Sequence, residues 1–165
     1  MLTRMPTLQD LDDLPPLLEQ TIPAGWEDLN GHVNVRHYLE LYDQAGWPMM
    51  GLLGVEERHF RDERRGFFDL EHHIWYLAEM HVGDTVSVHT RFLARNAKRF
   101  HGVMFVANRT RGCVASAFEY VSTAADLETR RSAPLPPDVA AHLDELIEAQ
   151  SRLAWPAPLC GSISA

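Results

Sequence analysis

Apolar residues after position 34 recur every three or four positions, which is typical of one side of a helix. They are Val35, Tyr38, Leu39 and Tyr42, with Leu41 and Ala45 widening the stripe. The side-chain oxygen of Asn34 can cap the first turn. The pattern therefore predicts a long helix that begins at about Asn34 and runs to Gly46 or slightly beyond Pro48.

From Gly66 onward the period changes from 3.6 residues to 2, which is typical of strands. These alternating runs cover residues 67–80, 85–92, 99–107 and 113–121. The pairs Gly-Asp, Asn-Ala and Arg-Gly separate them and predict tight turns. The runs therefore predict a four-strand antiparallel meander. A first strand is expected between residues 17 and 26, and Pro136 opens a second helix.

One antiparallel sheet wrapped around one long helix is the simplest way to bury both apolar faces. The expected class is α+β, with an extra C-terminal helix. Residues 1–16 are polar and acidic, and we interpret them as an N-terminal tail or a capping arm. Residues 17–165 form a single domain, because 165 residues fit one core.

Charge and composition exclude several classes of partner. The formal net charge is −8, which argues against a nucleic-acid binder, since phosphate contacts need a basic face. No apolar run approaches the ~20 residues of a membrane span, and the N-terminus lacks a signal peptide. We expect no membrane partner and a cytoplasmic location, where Cys113 and Cys160 stay reduced.

The densest group of polar residues lies just before the predicted long helix. Asp28, Asn30, His32 and Asn34 surround Gly31 there. Helix N-termini expose unpaired N–H groups, which favour an ionised carboxylate and polarise a carbonyl oxygen. Asp28 is therefore a candidate general base or nucleophile, and the amides of Gly31 and His32 are candidates to bind an oxyanion. The alternative is that Asp28 and Asn34 are turn and cap residues only.

This segment resembles the D-x-N-x-H-V-N-N-x-x-Y signature of hotdog-fold thioesterases. The matching residues are Asp28, Asn30, His32, Val33, Asn34 and Tyr38. Residues 76–79 and 83–86 are similar to the same family's Y-x-x-E and G-D-x-hydrophobic segments, so the resemblance covers about residues 18–125. It implies a hotdog fold, an antiparallel sheet wrapped around a long central helix, and acyl-CoA thioesterase activity. Coenzyme A would enter as part of the substrate, with no other cofactor.

The resemblance also implies residue roles and an assembly. Asp28 would be the catalytic carboxylate, with Asn30 and His32 beside it and Asn34 near the substrate. Tyr38, on the helix stripe, is expected to be a core residue rather than a contact. The family implies a homodimer or a dimer of dimers with sites at the subunit interface. A sheet edge that needs covering is consistent with that assembly.

Two further groups are candidates with structural alternatives. Glu71 is expected to oppose Asp28 from a strand, with His73 second and Trp75 on the same face; the alternative is a solvated outer face. Lys98 and Arg99 are candidates for the coenzyme A phosphates, since Arg clamps phosphate and Lys acts as a point charge. The alternative is an ordinary charged turn. The pair at 130–131 is a weaker candidate for that role.

A closer resemblance is to the betainyl-CoA thioesterases of carnitine catabolism. The segments EHHI (71–74), YLAE (76–79) and NAKRFH (96–101) carry it. Departures at Val33, Asn34 and Trp75 leave betainyl, short branched and aromatic acyl groups open. Aromatic residues sufficient for a cage around a quaternary ammonium are present. They are Trp26, Trp47, Trp75, Phe67 and Phe68, whose alternative role is core packing.

Three competing interpretations remain to be weighed. A non-catalytic acyl-CoA sensor of the same fold would lack the carboxylate at position 28 or carry a DNA-binding segment. A dehydratase would need a His and an Asp at a different spacing. Nine histidines raise the question of zinc, but adjacent His72 and His73 point to opposite faces of a strand. We therefore expect no metal.

Overall fold

A computed structural model describes residues 4–165 as a curved antiparallel sheet packed on one long helix. The strands are β1 (Pro16–Thr21), β2 (Arg65–Tyr76), β3 (Thr85–Arg95), β4 (Arg99–Asn108), β5 (Cys113–Asp126) and β6 (Arg131–Ser132). The helices are α1 (Leu8–Leu11), α2 (Arg36–Leu52), α3 (Glu57–Arg61) and α4 (Pro137–Ser151), with one 3-10 turn over Ala24–Trp26. The expected α+β class, the sheet wrapped around a long central helix and the C-terminal helix are confirmed.

The strand order corrects the predicted meander. The order is β1-β3-β4-β5-β2, with the short β6 paired to β5. Of the four predicted meander strands, β3, β4 and β5 are consecutive neighbours, but β2 pairs with β5 rather than β3. The cause lies in the segment after β2. The amides of Leu77 and Ala78 both donate to the Ala115 carbonyl, at 2.8 and 3.1 Å. The chain then crosses the end of the sheet, and β3 enters beside β1.

Helix α2 lies against the concave face of the sheet and forms the core. Its side chains Leu41, Tyr42, Ala45 and Met49 are buried there. The helix continues to Leu52, past the predicted end, even though Pro48 lacks an N–H. Both Pro48 and Gln44, whose carbonyl loses that partner, are exposed, so water can satisfy the free oxygen.

The outer face of the sheet carries a second, smaller core. Leu11, Leu14 and Trp155 pack there on Phe105 of β4. Residues 8–14 therefore form a capping arm rather than a loose tail; the first three positions lie outside the described residues. The C-terminal segment crosses the same face, where the Arg91 guanidinium stacks 4.4 Å from the Trp155 ring centroid.

Among the described residues, no helix combines the length and apolar character needed to cross a bilayer.

Candidate functional site

The residues predicted to carry the chemistry form a tight turn ahead of α2. The backbone N–H of Gly31 donates to the Asp28 carbonyl at 3.0 Å, and Gly31 has φ of +79°, which favours glycine. The N–H of Asn30 donates to Asp28 Oδ1 at 2.8 Å, and its side-chain amide lies 3.4 Å from Oδ2. The Asp28 carboxylate is thereby fixed in orientation while remaining partly accessible.

Backbone hydrogen bonds attach this turn to the start of the helix. The Asp28 N–H donates to the His32 carbonyl at 2.9 Å, and the Asn34 N–H donates to the Trp26 carbonyl at 2.8 Å. The N-cap residue of α2 is Val35 rather than the expected Asn34, but Asn34 Oδ1 still accepts the N–H of Arg36 in the first turn at 3.2 Å. Asp28 therefore lies eight residues before the helix, and its position is set by the loop and not by the helix itself.

A cleft of about 500 Å³ opens at this turn. Asp28, Asn30 and His32 line one side; Val35 and Tyr38 line the α2 side, and residues 76–79 line the wall opposite. Tyr38 is both a core residue and part of this wall. Its hydroxyl donates to the Ala78 carbonyl at 3.0 Å, and burial raises the pKa of its phenol.

His32 lies beside the carboxylate and supplies a free amide. Its Nδ1 is 3.6 Å from Asp28 Oδ1 and 3.3 Å from the Val33 carbonyl oxygen. Within residues 4–165 the backbone N–H of His32 has no hydrogen-bond acceptor. The N–H of Gly31, by contrast, is engaged within the turn, so the expectation of two free amides is corrected to one.

A second loop, not predicted as part of the site, supports the turn. His81 Nδ1 lies 3.1 Å from the Gly31 carbonyl oxygen. The backbone N–H of His81 donates to Asp84 Oδ2 at 2.9 Å, and Asn108 donates to the same oxygen at 2.8 Å. Burial by itself would raise the pKa of Asp84, but these hydrogen bonds and that from Arg111 lower it. Asp84 thus stays ionised and ties the two loops together.

The structure does not bring Glu71, His73 and Trp75 to this cleft. A β-bulge between Asp69 and Glu71 changes which side chains of β2 face the helix. Asp69 and the residues at 72, 74 and 76 face inward, whereas Glu71, His73 and Trp75 face outward. The ring of Trp75 packs against the outer core. Glu71 is exposed on that side, which is the alternative stated from the sequence.

Lys98 and Arg99 lie at the other end of the sheet. Arg99 pairs with Thr123 of β5, whereas Tyr76 in the cleft wall pairs with Ser116. Seven strand residues separate those positions, or roughly 23 Å at 3.3 Å per residue. Within one chain, the two basic residues therefore lie far from Asp28.

A larger cavity of about 580 Å³ lies between α2 and β2, further along the helix than the cleft. Glu40, Asp43 and Trp47 line it from the helix, and Asp69 and Phe118 line it from the sheet. Sequence reasoning did not predict it. The only available signal was the helical spacing of Asp43 after Leu39, which a surface residue shows equally well.

The five aromatic residues suggested as a cage do not converge. Trp26 stacks on the ring of His37, with centroids 4.5 Å apart, and Phe67 packs in the core. Phe68 contacts Arg130, and Trp75 faces the outer core. Trp47 alone lines the larger cavity. In residues 4–165 no three His, Cys, Asp or Glu side chains converge as metal ligands.

Comparison with known proteins adds a family and a set of relatives. The model of the thioesterase-like superfamily matches residues 22–143. The chain is 29% identical over 138 residues to a betainyl-CoA thioesterase of Pseudomonas aeruginosa, covering 84% of this chain and 87% of that one. It is 28% identical over 156 residues to an L-carnitine dehydrogenase/betainyl-CoA thioesterase of Ruegeria pomeroyi, covering 92% of this chain. The chain spans only 31% of the length of that second relative.

Solved structures share the fold over nearly the whole chain. A candidate thioesterase from Pseudomonas putida KT2440 superposes with a TM-score of 0.74 at 27% identity, covering 98% of this chain and 97% of that one. A hypothetical protein from Staphylococcus aureus, solved in complex with CoA, superposes with a TM-score of 0.81 at 22% identity, covering 92% and 96%. The second likeness concerns the fold alone.

Proposed function

The chain belongs to the thioesterase-like superfamily, and on that basis we propose that it hydrolyses acyl-CoA thioesters at the Asp28 cleft. The observation that carries this proposal is the fixed carboxylate of Asp28 in an open cleft. Its Oδ1 accepts the Asn30 N–H, and the ring of His32 lies beside it. An oriented carboxylate next to a free amide is what attack on a thioester carbonyl requires.

In the reaction, water attacks the thioester carbon while Asp28 takes one of its protons. The carbonyl oxygen becomes an oxyanion, and we assign the free N–H of His32 as its donor, since His32 lines the cleft. Collapse of the tetrahedral intermediate breaks the C–S bond and releases a carboxylic acid and the coenzyme A thiolate, which recovers the proton. In the alternative route the Asp28 carboxylate attacks the thioester carbon first, the C–S bond breaks to release the coenzyme A thiolate, and water then hydrolyses the resulting anhydride to the free acid and Asp28.

Coenzyme A enters as part of the substrate, and this route uses no metal or redox group. The names of the relatives make betainyl-CoA the first acyl-CoA to test. Short branched and aromatic acyl-CoAs complete the panel. The two unpaired cysteines, Cys113 and Cys160, suit a reducing compartment, and we assign the protein to the cytoplasm.

We further propose that two copies associate through β2. This strand of twelve residues pairs with β5 on one side, and among the described residues no strand covers its other edge. Exposed Phe68, Leu70 and Tyr76 lie along it, with Val35 of the loop before α2 nearby. An uncovered edge of this length favours pairing with another strand, and a two-fold dimer uses the same edge twice.

Antiparallel pairing of two β2 strands also gives the basic residues a role. It places the Phe68 end of one strand next to the Tyr76 end of the other. Lys98, Arg99 and Arg130, which lie at the Phe68 end, would then approach the Asp28 cleft of the second copy. Their charges suit the phosphates of coenzyme A.

A panel of acyl-CoAs assayed with a free-thiol reagent tests the activity. Asp28→Asn should lower kcat by at least ~100-fold with unchanged thermal stability. Asp13→Asn, an exposed aspartate on the outer side of the sheet, is the matched control and should keep wild-type turnover. An Asp28→Asn variant that turns over at the wild-type rate overturns the assignment. Single-turnover hydrolysis in oxygen-18 water separates the two routes, because only the anhydride route labels the Asp28 carboxylate.

Light scattering on purified protein tests the assembly. The wild type should be a dimer or a dimer of dimers, and Leu70→Lys should shift it towards monomer. Leu159→Lys is the control, because the two leucines are similarly exposed, at 49% and 46%. A monomeric wild type at assay concentrations argues against the β2 interface.

A further inference from the structure

The larger cavity lies further along α2 than the Asp28 cleft. Val35 and Tyr38 line the cleft, and Leu39 and Tyr42, four residues further on, line the cavity. Four helical residues span about 6 Å. A thioester whose carbonyl lies beside Asp28 therefore has a space for its acyl group one helical turn away.

The charges lining this cavity do not balance. Arg36 and Glu40 both contact the ring of His37, through Arg36 Nε at 3.2 Å and Glu40 Oε2 at 2.5 Å, so their charges offset each other. Asp43 has no ion-pair or hydrogen-bond partner for its carboxylate among residues 4–165. The carboxylate of Asp43 therefore has no compensating cation among residues 4–165, and Asp69 on the opposite wall has only the side chains of His72 and Ser122 beside it.

Asp69 is held in its charged form by the sheet. Ser122 Oγ donates to Oδ1 of Asp69, and His72 Nε2 lies 3.1 Å from Oδ2. Burial by itself would raise the pKa of Asp69, but the hydrogen bonds from His72 and Ser122 lower it. The carboxylate stays ionised at neutral pH, so the negative charge in the cavity is permanent there.

The remaining walls are aromatic and sulfur-rich. Phe118 stacks on Tyr42 with ring centroids 4.6 Å apart, and Trp47 is half-exposed on the helix side. Met49 and Met104 complete the apolar floor. Aromatic faces next to carboxylates bind cations whose charge is spread over alkyl groups, because such ions lose little hydration and gain both cation–π and charge attraction.

We infer that this cavity is the acyl-binding subsite and that Asp43, Asp69 and Trp47 make it select an acyl group bearing an alkylammonium charge. The inference rests on the proposed hydrolase activity. It assigns a selective role to residues outside the Asp28 turn. A pantetheine arm lying in the cavity is the main competing occupant, and it would make these residues indifferent to acyl charge.

Two substrates of equal shape test the inference. Trimethylammonioacetyl-CoA has a positively charged nitrogen at the branch point of its acyl group, and 3,3-dimethylbutanoyl-CoA has a neutral carbon at the same place. The wild type should show a kcat/KM at least ~10-fold higher for the cationic substrate. Asp43→Asn should lower that ratio by about fivefold to tenfold, whereas the exposed control Asp13→Asn should leave it unchanged. Equal kcat/KM for both substrates, or an equal loss for both in Asp43→Asn, overturns the inference.

A binding measurement separates this inference from the hydrolase proposal. Calorimetric titration of Asp28→Asn with both acyl-CoAs should give a Kd about tenfold lower for the cationic one. If neither substrate is hydrolysed by the wild type but the binding preference remains, the hydrolase proposal fails and the cation subsite stands. If both are hydrolysed and both bind equally, the cation subsite fails and the hydrolase proposal stands. If the wild type hydrolyses neither substrate and Asp28→Asn binds both equally, the hydrolase proposal and the cation subsite both fail.

Discussion

Gly102 lies at a point of β4 where the sheet has no room for a methyl group. A Cβ added there would lie 2.5 Å from the hydroxyl oxygen of Tyr120 and 2.9 Å from the Arg91 carbonyl oxygen. Both distances are far below van der Waals contact. Tyr120 is fully buried, and its hydroxyl lies 3.2 Å from Met49 Sδ and 3.3 Å from Thr90 Oγ1. Gly102→Ala therefore pushes a buried ring towards α2.

The cost follows from overpacking in a dense core. Inserting one extra methyl group into a well-packed core lowers the free energy of unfolding by about 1–3 kcal/mol. For a protein of this size each kcal/mol lowers Tm by roughly 2–4 °C, so a cost of about 2 kcal/mol lowers Tm by roughly 4–8 °C. The contrasting control is Gly46→Ala in the interior of α2. A Cβ there meets nothing within 4 Å, and the change should stabilise the helix by about 0.5–1 kcal/mol.

Calorimetry and urea unfolding of both variants measure the difference. The two alanine substitutions should shift stability in opposite directions. If Gly102→Ala is as stable as the wild type, the close approach of Tyr120 to β4 is not a feature of the folded protein. If Gly46→Ala is destabilised instead, the space beside that position in α2 is filled by something outside the described chain, such as a second copy.

Three further changes test other parts of the molecule. Tyr42→Phe removes the partner of Ser116 Oγ, 2.5 Å away in the core, and should cost about 1–3 kcal/mol in urea unfolding. Trp155→Ala uncovers the outer face of the sheet and should cost about 3 kcal/mol, with faster proteolysis of the C-terminal segment. The Arg58 hydrogen bond lowers the pKa of Asp138 to about 2. The stability this confers is present above pH 3.8 and is lost as pH falls towards 2. In Asp138→Asn the urea concentration at the unfolding midpoint should depend less on pH between 3.8 and 2 than it does in the wild type.

The local pattern was sufficient to predict most elements. Period-2 alternation identified β2 to β5, and the helical stripe identified α2, since each reports only which side of an element is buried. The end of α2 was less predictable. Pro48 would break a buried helix, but here the freed carbonyl of Gln44 faces solvent. Whether a single carbonyl is exposed depends on the tertiary structure. The local pattern therefore could not show that α2 continues past Pro48.

The residues of the candidate site also fall into two groups, those that the local sequence predicted and those that it misplaced. Asp28, Asn30 and His32 lie close in the chain, and the turn that joins them is a local property of Asn-Gly. Glu71 and His73 were assigned as strand residues that oppose the start of α2, but beyond the bulge after Asp69 both lie on the outer face of β2. A bulge changes the facing of every later residue, and nothing in the alternation of polar and apolar side chains marked its position.

The sequence by itself determined most of the elements, the turn at Asp28 and the family motif, because these depend on residues within a few positions of each other. The tertiary structure decided the pairing of β2 with β5 and the side of β2 that faces the helix. It also created the cavity that joins Asp43 to Asp69. Those features bring together residues 26 or more positions apart. Their contact depends on strand order and register, which are selected by packing of the whole core rather than by any local preference.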